Sequence, residues 1–416
     1  MIEDAPIDPI WARAEHAIEA GDVDALDAVL HEHGDMLRRG PVQSSWCGGL
    51  SPDYSKGDAR AILVNEHRFA NWDEFTAFAE ALKDRQSSVA QFERAVDAIA
   101  DGDIATLGRL LHDNPSLIRA RSTRYHHSTL LNYVGANGVE SFRQRTPKNA
   151  VDVAKTLLDA GADIDGTADV YGGGCTTLGL IATSIHPANT GVQNDLIALF
   201  LERGASVGIT LGASTPRAAW SGLINSCHAN GRDDAAAYLA SRAPAGALDL
   251  EAAAGTGHLD VVKSFFKPEA DRSDDAFAKQ LIDGFAWACE FGRTEVVEFL
   301  LDHGVDVGTK LRHHGQTGLH WAAYGAHADT VGVLLRRNPP VNAIDDQFKG
   351  TPLGWALYGW GGGGPQNARR RGYYEVVKQI VDAGGTTTAA WLEYSPGVKK
   401  IMDDADMRAA VRDAIK

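Results

Sequence analysis

Cysteine is scarce in this chain and never clustered. Cys47, Cys175, Cys227 and Cys289 stand alone, with no C-x-x-C. That removes the spacing of zinc sites and redox motifs and suggests free thiols in a reducing compartment. Long apolar runs are missing too: no stretch of about 18 apolar residues exists, so no membrane span is expected. The N-terminus, M-I-E-D-A-P-I-D-P, has neither a basic n-region nor an apolar h-region, so no signal peptide is expected. There is no basic excess. The net charge is −15, which argues against a general nucleic-acid binder. G-x-S-x-G, G-K-[ST] and H-E-x-x-H are absent. Gly172–Gly174 and Gly361–Gly364 lack a strand-then-helix context, so no dinucleotide site is expected. His31-Glu32-His33 has too little support to be a metal site. The expectation is a soluble cytoplasmic protein with no metal, no cofactor, no nucleic-acid partner and no membrane contact.

What is present is a repeat. Residues Gly315 to Asp346 read G-Q-T-G-L-H-W-A-A-Y-G-A-H-A-D-T-V-G-V-L-L-R-R-N-P-P-V-N-A-I-D-D. Thr317 is a helix cap, and Leu319, Ala322 and Ala323 share one helical face whose alanines allow close approach. Val331, Val333, Leu334 and Leu335 form the core face of a second helix. Thr351-Pro352-Leu353 starts the next copy 34 residues on. This stretch resembles an ankyrin repeat, with Thr317, Leu319, His320, Ala322 and Ala323 on the T-P-L-H-x-A-A signature. One such helix pair cannot bury its apolar face alone, so copies should flank it.

In chain order, residues 11–38 and 92–118 share A-I-x-x-G-D and read as two worn units. Between them, 41–56 is loop-like and 57–85 reads as two helices, with Asn71 and Glu74 as a capping box. H-R-F-A-N-W-D-E-F resembles a G-F-x-S-W-x-x-L element common in bacterial ankyrin-repeat proteins, with Arg68 in place of its glycine. Phe69, Trp72 and Phe75 read as core. A third unit starts at Thr129, with its second helix at 149–165. A fourth follows Y-G-G-G-C-T-T-L-G-L, with its second helix from Asn194 to Arg203. Asn225–Arg242, Asp249–Lys267 and Asp283–Val307 are three more, followed by the Gly315 unit and T-P-L-G-W-A-L-Y-G-W with its second helix at Tyr373–Ala383. The expected fold is all-α: an ankyrin-repeat solenoid of about nine helix-pair units with short β-hairpin finger loops and inserted loops between the paired helices. Its parts are 1–90, a degenerate N-terminal unit plus inserted helices; 91–385, the solenoid; and 386–416, a helical cap. The strings H-H-S-T-L-L, Y-G-G-G-x-T-T-L-G-L and T-P-L-G-W-A resemble those of a bacterial ankyrin group.

The resemblance implies that fingers and first helices line a concave groove and that the turns between paired helices form its rim. Three insertions lie at that rim. They carry Arg143, Gln144 and Arg145; His186 and Asn189; and Asn367 with Arg369–Arg371. The fingers hold Tyr125, His126, His127 and Tyr171, and later His313 and His314. The first helices add Asn132, Tyr133, Trp321, Trp355 and Tyr358. Gly179 and Gly354 replace the T-P-L-H histidine and leave room for a ligand. Each signal also has a structural explanation: histidines bracing hairpins, tryptophans packing, arginines in solvent, and His320 joining neighbouring repeats.

Two functions are compatible with this pattern. The first is a metal-free acid–base enzyme catalysing dehydration, isomerisation or cyclisation by conjugate addition, with its site near 123–193. His126 or His127 would be the base, and Tyr133, Arg143 and Tyr171 would orient or polarise the substrate. Tyr125, Asn132, Arg145, His186, Asn189, His313, His314, Trp321, Trp355 and Tyr358 would contact the small molecule. The second is an adaptor or inhibitor binding a protein on the concave face. The enzyme is placed first because three rim insertions would obstruct an open groove.

Overall fold

The computed structural model describes residues 9–39, 56–210, 215–267, 275–311, 314–363, 370–389, 401, 403–412 and 414–416. It is mostly helical and divides into two compact units, Met1–Ala213 and Ser214–Lys416.

The first unit holds α1 (Pro9–Ala20), α2 (Val23–Arg39), α3 (Lys56–Glu66), α4 (Trp72–Lys83), α5 (Ser88–Asp101), α6 (Ile104–Asp113), α7 (Ala150–Asp159), α8 (Thr177–Thr183), α9 (Ile185–Thr190) and α10 (Gln193–Glu202). The repeated A-I-x-x-G-D string builds the same corner twice. Gly21 and Gly102 lie at φ +67° and +73°, where a side chain would be strained. The aspartate that follows each glycine then caps the next helix: Asp22 accepts from the Ala25 amide at 3.0 Å and Asp103 from Thr106 at 2.9 Å. Asn71 caps α4 as expected, its Oδ1 accepting from the Glu74 amide at 2.9 Å, but Glu74 reaches one residue further back than a capping box requires, to the Ala70 amide at 3.3 Å. Phe69 and Phe75 are core residues beside Ile18, Leu30 and Leu63, and Trp72 packs against them half-buried. Arg68, in place of the family-like glycine, has φ +61°.

The helix expected from Thr129 departs from expectation. It is only a 3-10 turn, Leu131–Gly135, ending at Ala136 with φ +46°. The chain leaves helical geometry here and carries Glu140 into the interior. The two first-unit insertions are compact: Ser141–Arg143 forms a 3-10 turn and residues 185–190 form α9. They meet where the Thr190 hydroxyl donates to the Thr146 carbonyl at 3.1 Å. Strand pairing is slight: a two-residue hairpin, β1 (Thr167–Ala168) with β2 (Cys175–Thr176), and antiparallel bridges Arg121↔Thr129 and Leu311↔Gln316.

The second unit holds α11 (Pro216–Ala229), α12 (Asp233–Arg242), α13 (Leu250–Thr256), α14 (Leu259–Ser264), α15 (Asp275–Glu290), α16 (Thr294–Asp302), α17 (Gly318–Tyr324), α18 (Ala328–Leu335), α19 (Pro352–Tyr358), α20 (Arg370–Asp382) and α21 (Ala405–Val411). First helices α11, α13, α15, α17 and α19 pack in succession, and second helices α14, α16, α18 and α20 do likewise. Ala254, Ala286, Ala288, Ala322 and Ala323 are fully buried along these contacts, which is what small residues on one helical face provide. The C-terminal residues close on the last repeat, the Lys416 amide donating to the Thr387 carbonyl at 2.9 Å. Most of the loop expected at 41–56 lies outside the described residues, as do His313, Asn367 and Arg369.

Candidate functional site

The first unit buries an unusual amount of charge. Residues 121–128 alternate in burial: Ser122, Arg124, His126 and Ser128 face inward, and Arg121, Thr123, Tyr125 and His127 outward. Adjacent histidines on such a segment cannot share an environment. Arg124 donates from Nη1 to Glu93 Oε1 at 2.6 Å and from Nε to the His67 carbonyl at 3.0 Å, and it forms a close ion pair with Glu140. Its guanidinium lies over Phe78, 4.5 Å from the ring centroid. Arg143, from the first insertion, reaches Glu93 Oε2 at 2.5 Å and donates from Nη2 to Asp97 Oδ1 at 2.7 Å. The Tyr133 hydroxyl donates to Glu140 Oε1 at 3.2 Å.

Burial opposes ionisation of Glu140, but Arg124, helped by His126 and Arg143, outweighs it and holds the carboxyl well below the usual range. Burial would lower Arg143; Glu93 and Glu140 raise it instead. Burial, reinforced by Glu140, raises the Tyr133 phenol well above its ordinary value, so it stays protonated as a donor. The two arginines balance the buried Glu93 and Glu140, and Asp97, half exposed at the edge, adds one further negative charge.

His126, expected on a solvent-facing finger, is 0% exposed. Its Nδ1 accepts from the Ser128 amide at 3.2 Å, which leaves Nε2 as the N–H, 3.8 Å from Glu140 Oε1. His127 is exposed, at φ +44°, and pairs through Nδ1 with Asp169 Oδ2 at 3.0 Å. Tyr133 and Arg143 join His126 around Glu140. Tyr125 and Tyr171 lie outside, Tyr125 accepting from Arg68 Nη1 at 3.2 Å and Tyr171 donating to Asn137 Oδ1 at 2.6 Å. Arg145 bonds Asp101 at 2.6 Å on the surface. On α9, His186 is half-buried and Asn189 exposed.

Asn132 is wholly internal. Its Oδ1 accepts from the Thr129 amide at 2.8 Å, and its Nδ2 donates to the Gly166 carbonyl and Thr177 Oγ1, both at 2.8 Å. His320 is bonded in the same pattern, Nδ1 accepting from the Thr317 amide at 3.0 Å and Nε2 facing the Gly350 carbonyl at 3.3 Å. Gly179 does not open space for a ligand. A Cβ there would lie 2.9 Å from Ile209 Cα and its carbonyl oxygen, because the next hairpin bonds Thr176 N to Ile209 O at 2.9 Å.

A cleft of about 660 Å³ adjoins the charge network. Phe78, Leu82 and Arg85 form one side, and Ala90, Glu93, Arg94 and Asp97 of α5 another, with Phe142 and Arg143 of the first insertion. An insertion thus does line a cleft, but with the N-terminal helices. The sequence reading missed Arg85, Arg94 and His67. The helical spacing of Ala90, Glu93, Arg94 and Asp97 was the available signal, and it reads equally as a solvated face.

In the second unit, Trp321 and Trp355 meet edge to face at 5.2 Å, with Tyr324 and Phe348 also against Trp355 at 5.8 and 6.0 Å. Trp355 Nε1 donates to Asp345 Oδ2 at 3.1 Å, and Asp345 also accepts from the amides of Gln347, Phe348 and Gly350. Asp345 thereby fixes the loop that presents Phe348. His314 and Tyr358 are exposed. Among the described residues no group of three or more His, Cys, Asp or Glu is placed to hold a metal ion, and no helix is long and apolar enough to cross a membrane.

A family model described as ankyrin repeats (3 copies) matches residues 250–345 and 285–390. No curated protein matches the chain.

Proposed function

We propose that the chain is a protein-binding module that engages its partner through the tips of its inter-repeat loops. One observation carries this reading. Four of the seven large apolar side chains exposed among the described residues sit on those tips: Tyr125, Tyr171, Ile344 and Phe348, Tyr171 at 73% and Phe348 at 54%. Aromatic side chains on rigid loops are favoured interface anchors. Asp345 and the Tyr171–Asn137 bond hold two of these tips in place. The acid–base candidates His126, Tyr133 and Arg143 are meanwhile committed to internal partners, so the binding reading takes precedence over the enzyme. The net charge of −15 favours a basic partner.

The repeat reading extends beyond the matched residues. The glycine–aspartate corners and the Thr129–Asn132 pair in the first unit support an ankyrin-type solenoid of about nine units in a soluble, cytoplasmic protein. The test is retention of partners from an extract of the native cell on the immobilised full chain and on the variant Tyr125→Ser/Tyr171→Ser/Phe348→Ser. Each retained partner is then titrated in purified form. We expect a partner whose affinity falls at least about tenfold in the variant while the melting temperature stays within about 2 °C, since a lost hot-spot side chain costs roughly 2 kcal/mol. Equal binding by both proteins overturns the reading, as does retention of no partner.

A further inference from the structure

We propose that the cleft between α4, α5 and the first insertion is a site for a small organic anion: a carboxylate on an aromatic body. This is independent of the partner surface at the loop tips. Four arginines face three carboxylates in the lining of this cleft, on a chain whose net charge is −15. Two of the arginines, Arg124 and Arg143, are already paired with Glu93, Glu140 and Asp97. Arg85 and Arg94 are exposed and have no ion-pair partner among the described residues. Two guanidinium groups at one opening suit a carboxylate, which each can meet with two parallel N–H donors.

The apolar walls set the body of the ligand. Phe78 and Phe142 line the cleft, and Leu82 remains 38% exposed there. His67 belongs to the same wall. It is 5% exposed, lines the same cleft, and is flanked by Phe75 and Phe142 with ring centroids at 5.1 and 5.0 Å. Its Nε2 donates to the Ile18 carbonyl at 2.6 Å, which leaves Nδ1 as a lone-pair acceptor. No hydrogen-bond donor among the described residues reaches that atom. Burial, with Arg124 nearby, lowers the imidazole to about 4, so the ring does not resolve this by protonation at neutral pH. Nδ1 has almost no accessible surface, so the ring borders the cleft as an uncharged wall and offers a guest no acceptor. Glu93 and Asp97 are engaged by arginines and do not repel the anion; Glu19 is the remaining carboxylate of the lining.

The experiment is calorimetric titration of the full chain with 4-hydroxybenzoate, benzoate and inorganic phosphate, each to 5 mM at constant ionic strength. The variants are Arg85→Ala/Arg94→Ala and, as a surface control, Arg109→Ala. We expect 4-hydroxybenzoate and benzoate to bind within about threefold of each other, phosphate to bind at least about tenfold more weakly, and the double variant to lose about tenfold for each arginine removed. The control should bind as the natural chain does. No 4-hydroxybenzoate binding overturns the proposal, as does binding that survives in the double variant. Phosphate binding as tight as 4-hydroxybenzoate also overturns it, since that identifies a simple anion site.

Discussion

Glu140 shows how a buried charge changes the meaning of its neighbours. Its Oε1 takes Arg124 and Tyr133, while Arg143 lies 3.7 Å away. Glu140→Gln removes the close partner of Arg124 and leaves that buried guanidinium only Glu93, which it shares with Arg143, and breaking such a buried pair costs about 3–5 kcal/mol. Tyr133→Phe removes one neutral donor and should cost about 1 kcal/mol. His127→Ala breaks an ion pair that is more than half exposed, so it should cost at most about 1 kcal/mol. Urea unfolding of the three variants checks this order. A His127 variant as damaged as the Glu140 variant would show that the exposed histidine, and not the buried carboxylate, organises the hairpin. None of this order is visible in the sequence, where H-H reads as one motif. The pleat separates the two histidines, and the partners of Arg124 lie 31 and 57 residues away.

Among the elements, the caps were legible because they act over three residues: Asn71 with Glu74, and Thr317 at the start of its helix, although His320 as the closing partner of Thr317 was not. Gly179 was legible as special but not as to why, since the atoms that forbid a side chain belong to Ile209 in the next hairpin. Helix propensity alone predicts that Gly179→Ala stabilises by about 1 kcal/mol. The 2.9 Å approach to backbone reverses the sign, so thermal melting should show destabilisation; a more stable variant would mean that the hairpin moves aside freely. Asn132 and His320 are alternative solutions to one bonding problem, which yields a pH prediction. Burial lowers His320 from 6.5 to about 4. Because the folded value lies below the unfolded one, the unfolded chain binds the extra proton first. The stability His320 allows is therefore present above about pH 6.5 and is lost as pH falls through about 4. His320→Asn can keep the bonds that Asn132 makes without titrating. Its unfolding free energy should fall less between those pH values, by roughly 3 kcal/mol. Parallel pH profiles for the two proteins would refute the assignment.

At the level of the whole molecule, the periodic second unit was the most legible part, because one repeat constrains the next. The first unit was less so, because its repeats are joined by contacts that no spacing rule encodes. Three of them cross residue 90. The His67 carbonyl accepts from Arg124 Nε at 3.0 Å, the Arg68 carbonyl accepts from the Tyr125 amide at 3.0 Å, and Ser141 Oγ donates to Glu66 Oε2 at 2.6 Å. Phe69 and Phe78 also lie against the Arg124 guanidinium. A chain beginning at Ser87 keeps every repeat of the matched family span and loses all of these contacts. It opens the charge network to water, which weakens each ion pair as the local dielectric rises. Hydrogen bonds to charged groups contribute about 1.5–3 kcal/mol each, and a domain is stable by only about 5–15 kcal/mol overall. Residues 87–416 should therefore retain the helical signal of the second unit while amide hydrogen exchange across Ser122–Tyr133 loses protection. Native-like protection of that segment in the shortened chain would mean that the N-terminal helices rest on the repeats without stabilising them.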